Sequence, residues 1–122
     1  MPSRADIDPL DLRFAIGNLI LVDAIEAEPL QFRIRLHGTN LSERMDFDLT
    51  GKMLDEMPLV DFRDRIRQSF ATVVTTKKPL HAQRDQIFDD RPRRYETIIL
   101  PLSSDDVRVD VILCGLFYDG QP

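Results

Sequence analysis

The sequence predicts an α+β domain: one five-stranded antiparallel sheet with helices packed on one of its faces. Three observations carry this. Two strand-like runs open the chain, Leu19–Ile25 and Leu30–His37, with a turn at Glu28-Pro29 between them. A turn-rich helical middle follows, from Thr39 to Thr76. Three further strand-like segments close it, Leu80–Phe88, Tyr95–Leu102 and Val107–Tyr118, separated by polar turns. Short connections between strands imply antiparallel pairing, and helices grouped in one block must cover one sheet face.

The elements can be justified in order. Ala5 to Leu12 reads as a short helical turn, with Asp8 as N-cap, Pro9 at the first helical position and Asp11 in the first turn. Gly17 breaks it. Leu19–Ile25 is a β-type run, apolar on both faces. Leu30–His37 alternates, with Phe32, Ile34 and Leu36 on one side and Arg33, Arg35 and His37 on the other. Gly38 ends it. Thr39–Met45 suits a short helix, and Gly51 marks a tight turn. Pro58 precedes the longest helical pattern, Leu59 to Thr76, where Phe62, Ile66, Phe70 and Val73 or Val74 share one face. Lys77 and Lys78 complement its C-terminus and Pro79 stops it. The strand Leu80–Phe88 is mostly polar. Tyr95–Leu102 is apolar on both sides, and Val107–Tyr118 becomes so towards its end. The turns between them carry Asp89 to Pro92 and Ser103 to Asp106, and the basic cluster Arg91 to Arg94 is ascribed to the first of these.

The 122 residues fit one domain, residues 1–122, with 1–15 as an N-terminal segment and 16–118 as its core. A chain 43% hydrophobic and 30% charged can bury a core without covalent staples. No apolar run is long enough to span a membrane, and the N-terminus lacks the apolar stretch of a secretory signal. A single cysteine, Cys114, excludes an intramolecular disulfide and suits a reducing cytoplasm. A net charge of −5 argues against binding nucleic acid through its phosphates.

Four stretches go further. Arg4 to Pro9, Phe32 to Thr39, Asp48-Leu49-Thr50-Gly51-Lys52, and Tyr95 to Leu102 resemble, in this order, a bacterial family of short PAS-domain proteins. The resemblance runs over nearly the whole chain. It departs from the family at His37, where members carry an apolar residue, and at the abrupt start, which relatives precede with further helical sequence. It implies a PAS-like sheet of strand order 2-1-5-4-3 and a sensory or regulatory binding module, with no catalytic residue carried over. The pattern agrees independently: the strands this order places centrally are the apolar ones, and the two it places at the edges carry the polar residues, as edges that resist pairing should.

Candidate chemistry is sparse. His37 and His81 fall on the two edge strands and read as solvated, with His37 alternatively hydrogen-bonded near Gly38. Haem-binding relatives use a histidine on a helix, and flavin-binding ones a cysteine in a helical motif; neither is found here, so no cofactor is expected. Cys114 reads as a small core hydrophobe. The carboxylates sit in turns and first helical turns, where caps and dipoles explain them, and no cluster suggests a metal. No phosphate loop or activated nucleophile stands out, so no enzymatic activity is expected.

Two functions remain. One is a sensor binding a small apolar or amphipathic ligand and relaying it to a signalling partner protein. Met45, Met53, Met57, Phe70, Tyr95 and Thr97 are then expected to line the pocket, because they fall in the segments that enclose it in PAS domains. The other is a ligand-free module with a filled core that dimerises or docks. A cavity above roughly 300 Å³ separates the two, that being the low end for ligand sites. Finally, apolar residues on both faces of the central strands predict a two-fold homodimer. The assigned register leaves Ile20, Val22, Ile98, Leu100, Ile112, Cys114 and Leu116 on the face without helices, as its interface.

Overall fold

The structure is a computed structural model, and it describes residues 16–88 and 91–118. The expected N-terminal helical turn and the Asp89-Asp90 turn lie outside the described residues. Among the described residues, five strands and two α-helices follow in the order β1 (Leu19–Ile25), β2 (Gln31–His37), α1 (Thr39–Met45), α2 (Val60–Thr76), β3 (Leu80–Phe88), β4 (Arg91–Leu102) and β5 (Val111–Tyr118). All neighbouring strands are antiparallel, and the sheet order is β2-β1-β5-β4-β3. No helix among the described residues is long and apolar enough to cross a membrane.

Helix limits follow the local chemistry. α1 ends at Asp46 and α2 at Lys77, both in the left-handed region, with φ of 64° and 59°. Each uses its N–H to bond a carbonyl of the last turn, that of Ser42 or Val73. Two element edges differ from expectation. Arg91 and Pro92 belong to β4, paired with Phe88 and Ile87, so the Arg91 to Arg94 cluster lies on a strand and not in the turn. β5 begins at Val111, because residues 103–110 form a longer loop. There Asp105 Oδ1 accepts the N–H groups of Val107 and Arg108 and the hydroxyl of Ser103, bonds that lower its pKa to about 2.

The sheet faces are clearly divided. The inner face carries Ile20 and Val22 of β1, Phe32 and Ile34 of β2, Tyr95, Thr97 and Ile99 of β4, and Ile112, Cys114 and Leu116 of β5. Their apolar members pack against Phe62, Ile66, Phe70 and Val73 of α2 and Leu41 and Met45 of α1. Phe32 and Phe70 meet edge to face, with ring centroids 5.5 Å apart. Ser69 ties α2 to β3 by accepting from Arg84 Nη1 at 2.8 Å.

The opposite face carries a second cluster of Leu19, Leu102, Val111 and Leu113, flanked by Leu21 and Leu100. This corrects the interface register. Ile20, Val22, Ile112, Cys114 and Leu116 lie under the helices, each at 3% exposure or less, while Ile98 and Leu100 do point outward. A strand that is apolar on both sides does not declare which parity faces the helices, and a one-residue slip exchanges the two sets. Asp23 also lies on the outer face, where Arg33 and Arg35 grip its carboxylate at 3.1 and 2.6 Å.

A bulge makes the second correction. The β1–β2 register shifts between Leu21 and Val22, so that Leu21 pairs with Leu36 and Val22 with Ile34. Arg35 is the extra residue, and parity reverses beyond it. Leu36, which strict alternation sets on the same inward side as Phe32 and Ile34, is 36% exposed, and His37 takes the inward position at 3%.

Candidate functional site

α2 packs closest to β4 and β3, and the space between its inward side chains and those of β1 and β2 is covered by the chain between α1 and α2. Residues 46–59 leave α1, turn at Gly51 and run back along the free edge of β2. Gly51 has φ of +83°, a conformation that favours glycine, and a Cβ there would meet open space. Backbone bonds fasten this strip to the strand: Ile34 N–H donates to Lys52 O at 2.8 Å and Gly51 N–H to Ile34 O at 2.7 Å. The backbone N–H of His37 donates to Thr50 Oγ1, and Thr50 N–H to Asp48 Oδ1. A 3-10 turn, Leu54–Glu56, follows. It is closed by Met53 N–H donating to Glu56 Oε2 at 2.8 Å, and Asp55 pairs with Arg67 of α2.

Under this strip lies a cavity of about 10 Å³, room for about one water molecule. Ile20 and Ile34 of the sheet, Leu49, Leu54 and Met57 of the strip, and Phe62, Ile66 and Phe70 of α2 form its apolar wall. The one polar side chain in that wall is His37.

The His37 ring is fixed on one edge. Leu49 N–H donates to its Nδ1 at 3.0 Å, so Nδ1 is the acceptor nitrogen and Nε2 carries the proton. Nε2 is buried and has no hydrogen-bond partner among the described residues. Burial lowers the imidazole pKa from its ordinary value; the opposing pull comes from Asp48, whose Oδ1 lies 4.0 Å from Nδ1 at the solvent side. His37 is therefore a neutral N–H donor held inside an apolar space.

The expected pocket residues separate. Met57 and Phe70 are in the cavity wall. Met45, Tyr95 and Thr97 are buried in the same core but not in that wall. Thr97 Oγ1 lies 3.6 Å from Cys114 Sγ, and the Tyr95 ring meets Phe62 edge to face and Tyr118 at a tilt. Met53 is half-buried and forms a backbone bridge with Arg33. His37 was missed as an inward group because alternation placed it outside; its departure from the family's apolar residue at that position was the available signal. His81 is exposed on β3, 3.4 Å from Glu96, as an edge residue should be. Cys114 is fully buried, and desolvation pushes its thiol up to about 12, so it behaves as a hydrophobe.

An antiparallel sheet of order 2-1-5-4-3, with its connecting helices folded over one face and an interior space beneath them, defines the architecture of a sensory domain. The family model for the PAS domain matches residues 1–117, and the chain belongs to that family, whose members are sensory signalling modules. No curated protein matches the chain. Among solved structures it is similar to the PAS domain of BvgS from Bordetella pertussis, with a TM-score of 0.66 at 19% identity, over 94% of this chain and 89% of that one. It is also similar to a sensory box sensor histidine kinase from Vibrio cholerae, with a TM-score of 0.63 at 14% identity, over 93% of both chains. A third likeness is to VqmA bound to DPO, with a TM-score of 0.66 at 11% identity, over 93% of this chain and 58% of that one. These likenesses are of fold.

Proposed function

We propose that the chain is a ligand-binding sensor that catalyses no reaction. It takes a small apolar or amphipathic molecule between α2 and the sheet and relays occupancy to a signalling partner protein in the cytoplasm. One observation carries this reading: a small apolar cavity between α2 and the sheet, with Met57 and Phe70 of the expected pocket residues in its wall. The bound DPO in VqmA is consistent with such use of the fold.

The filled-core reading has its own support. At about 10 Å³ the cavity is far below the roughly 300 Å³ of a ready-made ligand site. Binding therefore requires the strip of residues 46–59 to move outward. Native mass spectrometry of protein purified from its own cells tests the choice. A released small molecule, with a higher melting temperature for the loaded protein, supports the sensor. Uniformly empty protein across growth conditions would favour a docking module with a packed interior.

Self-association belongs to the same reading: a two-fold homodimer through the outer sheet face, now centred on Ile98 and Leu100. Leu19, Leu102, Val111 and Leu113 of that face are each at 8% exposure or below, so the accessible apolar area is smaller than the sequence implied.

A further inference from the structure

We propose that His37, Asp48 and the Leu49 amide form an acid-operated latch: when the imidazole takes a proton, residues 46–52 let go of β2 while the sheet and α2 stay folded. The latch is a property of the folded chain and does not depend on whether the interior takes a ligand.

The geometry requires an exchange of partners at one atom. His37 Nδ1 accepts the Leu49 N–H at 3.0 Å through its ring lone pair. A proton from solvent occupies that same lone pair, and an imidazolium is a donor at both nitrogens. Two N–H groups then point at each other, so the Leu49 amide must turn away. A new acceptor is already in place: Asp48 Oδ1 lies 4.0 Å from Nδ1, on a side chain that is 61% exposed. Hydrogen bonds from Thr50 lower the Asp48 pKa from its ordinary value, so its carboxylate is ionised wherever a histidine titrates. Among the described residues no other titratable group acts on the ring. β1 sets Ile20 opposite His37, α1 buries Leu41 and Met45, and α2 brings Phe62, Ile66 and Phe70 to the shared cavity. On the strip, Phe47 has its ring centroid 5.9 Å from that of the imidazole, and Lys52 acts on Asp48. Release stays local because the chain is fastened differently further on. Asp55 pairs with Arg67, and the carbonyls of Asp55 and Met57 accept from Arg63 Nη1, which ties residues 54–57 to α2. Before them the ties to β2 gather at His37 and Ile34, and Lys52 N–H donates to Leu49 O, which joins the two places. A turned Leu49 therefore pulls on both backbone bonds of Ile34. A surface segment held by so few bonds opens at lower cost than the central strands.

The test is an NMR titration of the full chain from neutral pH downward. Ring nitrogen shifts report the protonation of His37, and hydrogen exchange reports each amide as a protection factor. Burial opposes protonation of the closed form, so acid favours the open one. In the wild type the protection of Leu49, Gly51 and Ile34 should fall by up to about tenfold per pH unit, the most that one proton can give. It should be lost once the ring shifts report imidazolium, while Ile112 and Cys114 of β5 stay protected. His37→Asn keeps an acceptor for the Leu49 N–H and does not titrate, so its strip should stay protected over the same range. Asp48→Asn keeps an acceptor for the Thr50 N–H but loses the charge that favours imidazolium, so opening should move to lower pH. A strip that stays protected beside a protonated ring overturns the latch. So does loss of β5 protection at the same pH, which would mean that the chain opens as a whole. Acid opening that persists in His37→Asn, or is unmoved in Asp48→Asn, overturns the exchange of partners. Should His37→Asn fail to fold, the wild-type titration and Asp48→Asn still decide.

Discussion

Phe70→Ala tests the packing on which both functional readings stand. Phe70 is 1% exposed, reaches from the middle of α2 into the cavity wall and meets the edge of Phe32. Returning such a ring to water costs about 2–3 kcal/mol of transfer free energy. The lost ring pair adds about 0.5–1.5 kcal/mol. A residual void of roughly 40 Å³ adds about 1 kcal/mol at ~24 cal/mol per Å³. The sum is about 3.5–5.5 kcal/mol, close to the range of about 3–5 for such large-to-small core changes and a large part of the ~5–15 kcal/mol that holds a domain folded. Guanidinium denaturation followed by circular dichroism should show the midpoint fall with little change in m. The milder Phe70→Leu should cost about 1 kcal/mol. A loss below 1 kcal/mol for Phe70→Ala would mean that the Phe70 ring does not reach from α2 to Phe32, and the cavity would lose its geometry.

The remaining predictions are independent of one another. Because burial lowers the His37 pKa, the unfolded chain takes up a proton near pH 6.5 that the folded chain refuses, so this contribution is complete above that pH and declines as the pH falls below it. Between pH 7 and pH 5 the wild type should lose more stability than His37→Asn; parallel pH profiles would contradict the buried neutral imidazole. A Cβ at Gly17 would lie 2.7 Å from Asn40 Nδ2, the atom that donates to Asn18 Oδ1, so Gly17→Ala should cost about 1 kcal/mol in thermal melts. Cys114 should react with a thiol reagent only as the domain opens, at a rate that rises with denaturant; prompt stoichiometric labelling of the native protein would refute its placement. Ile98→Asp should dissociate a homodimer in light scattering, and a wild type that stays monomeric at high concentration would dispose of the interface.

The order of elements and the sheet topology were legible because each depends on coarse signals. Gly38, Gly51 and Pro79 punctuate the chain, Phe62, Ile66 and Phe70 keep helical spacing, and polar residues collect on the edge strands. The orientation of individual side chains was less legible. Leu19 to Val22 is apolar at every position, so nothing local states that Ile20 and Val22 face inward. In β2 the alternation is correct through Ile34 and misleading after it, because the extra residue lies in backbone pairing with β1, a long-range property. That one bulge accounts for both the misplaced Leu36 and the missed His37. The pocket assignments were limited differently. The methionines fall where PAS domains close their interiors, yet which of them reaches the cavity depends on how the strip is fastened, and only Met57 does.

The fastening of that strip has a mechanical consequence. Leu49 and Leu54 close the interior, while Lys52, Gly51 and Thr50, between them, occupy the hydrogen-bonding edge of β2. Plug and edge guard are thus one continuous piece of chain. A guest too large for the resting space must push Leu49 outward, and that movement strains the bonds at Ile34 and His37 together. The amide and carbonyl of Ile34 would then be bared on an edge strand, the kind of surface to which another polypeptide can add a strand. Filling the inside would in this way be converted into adhesiveness on the outside, with no need for α2 or the central strands to shift.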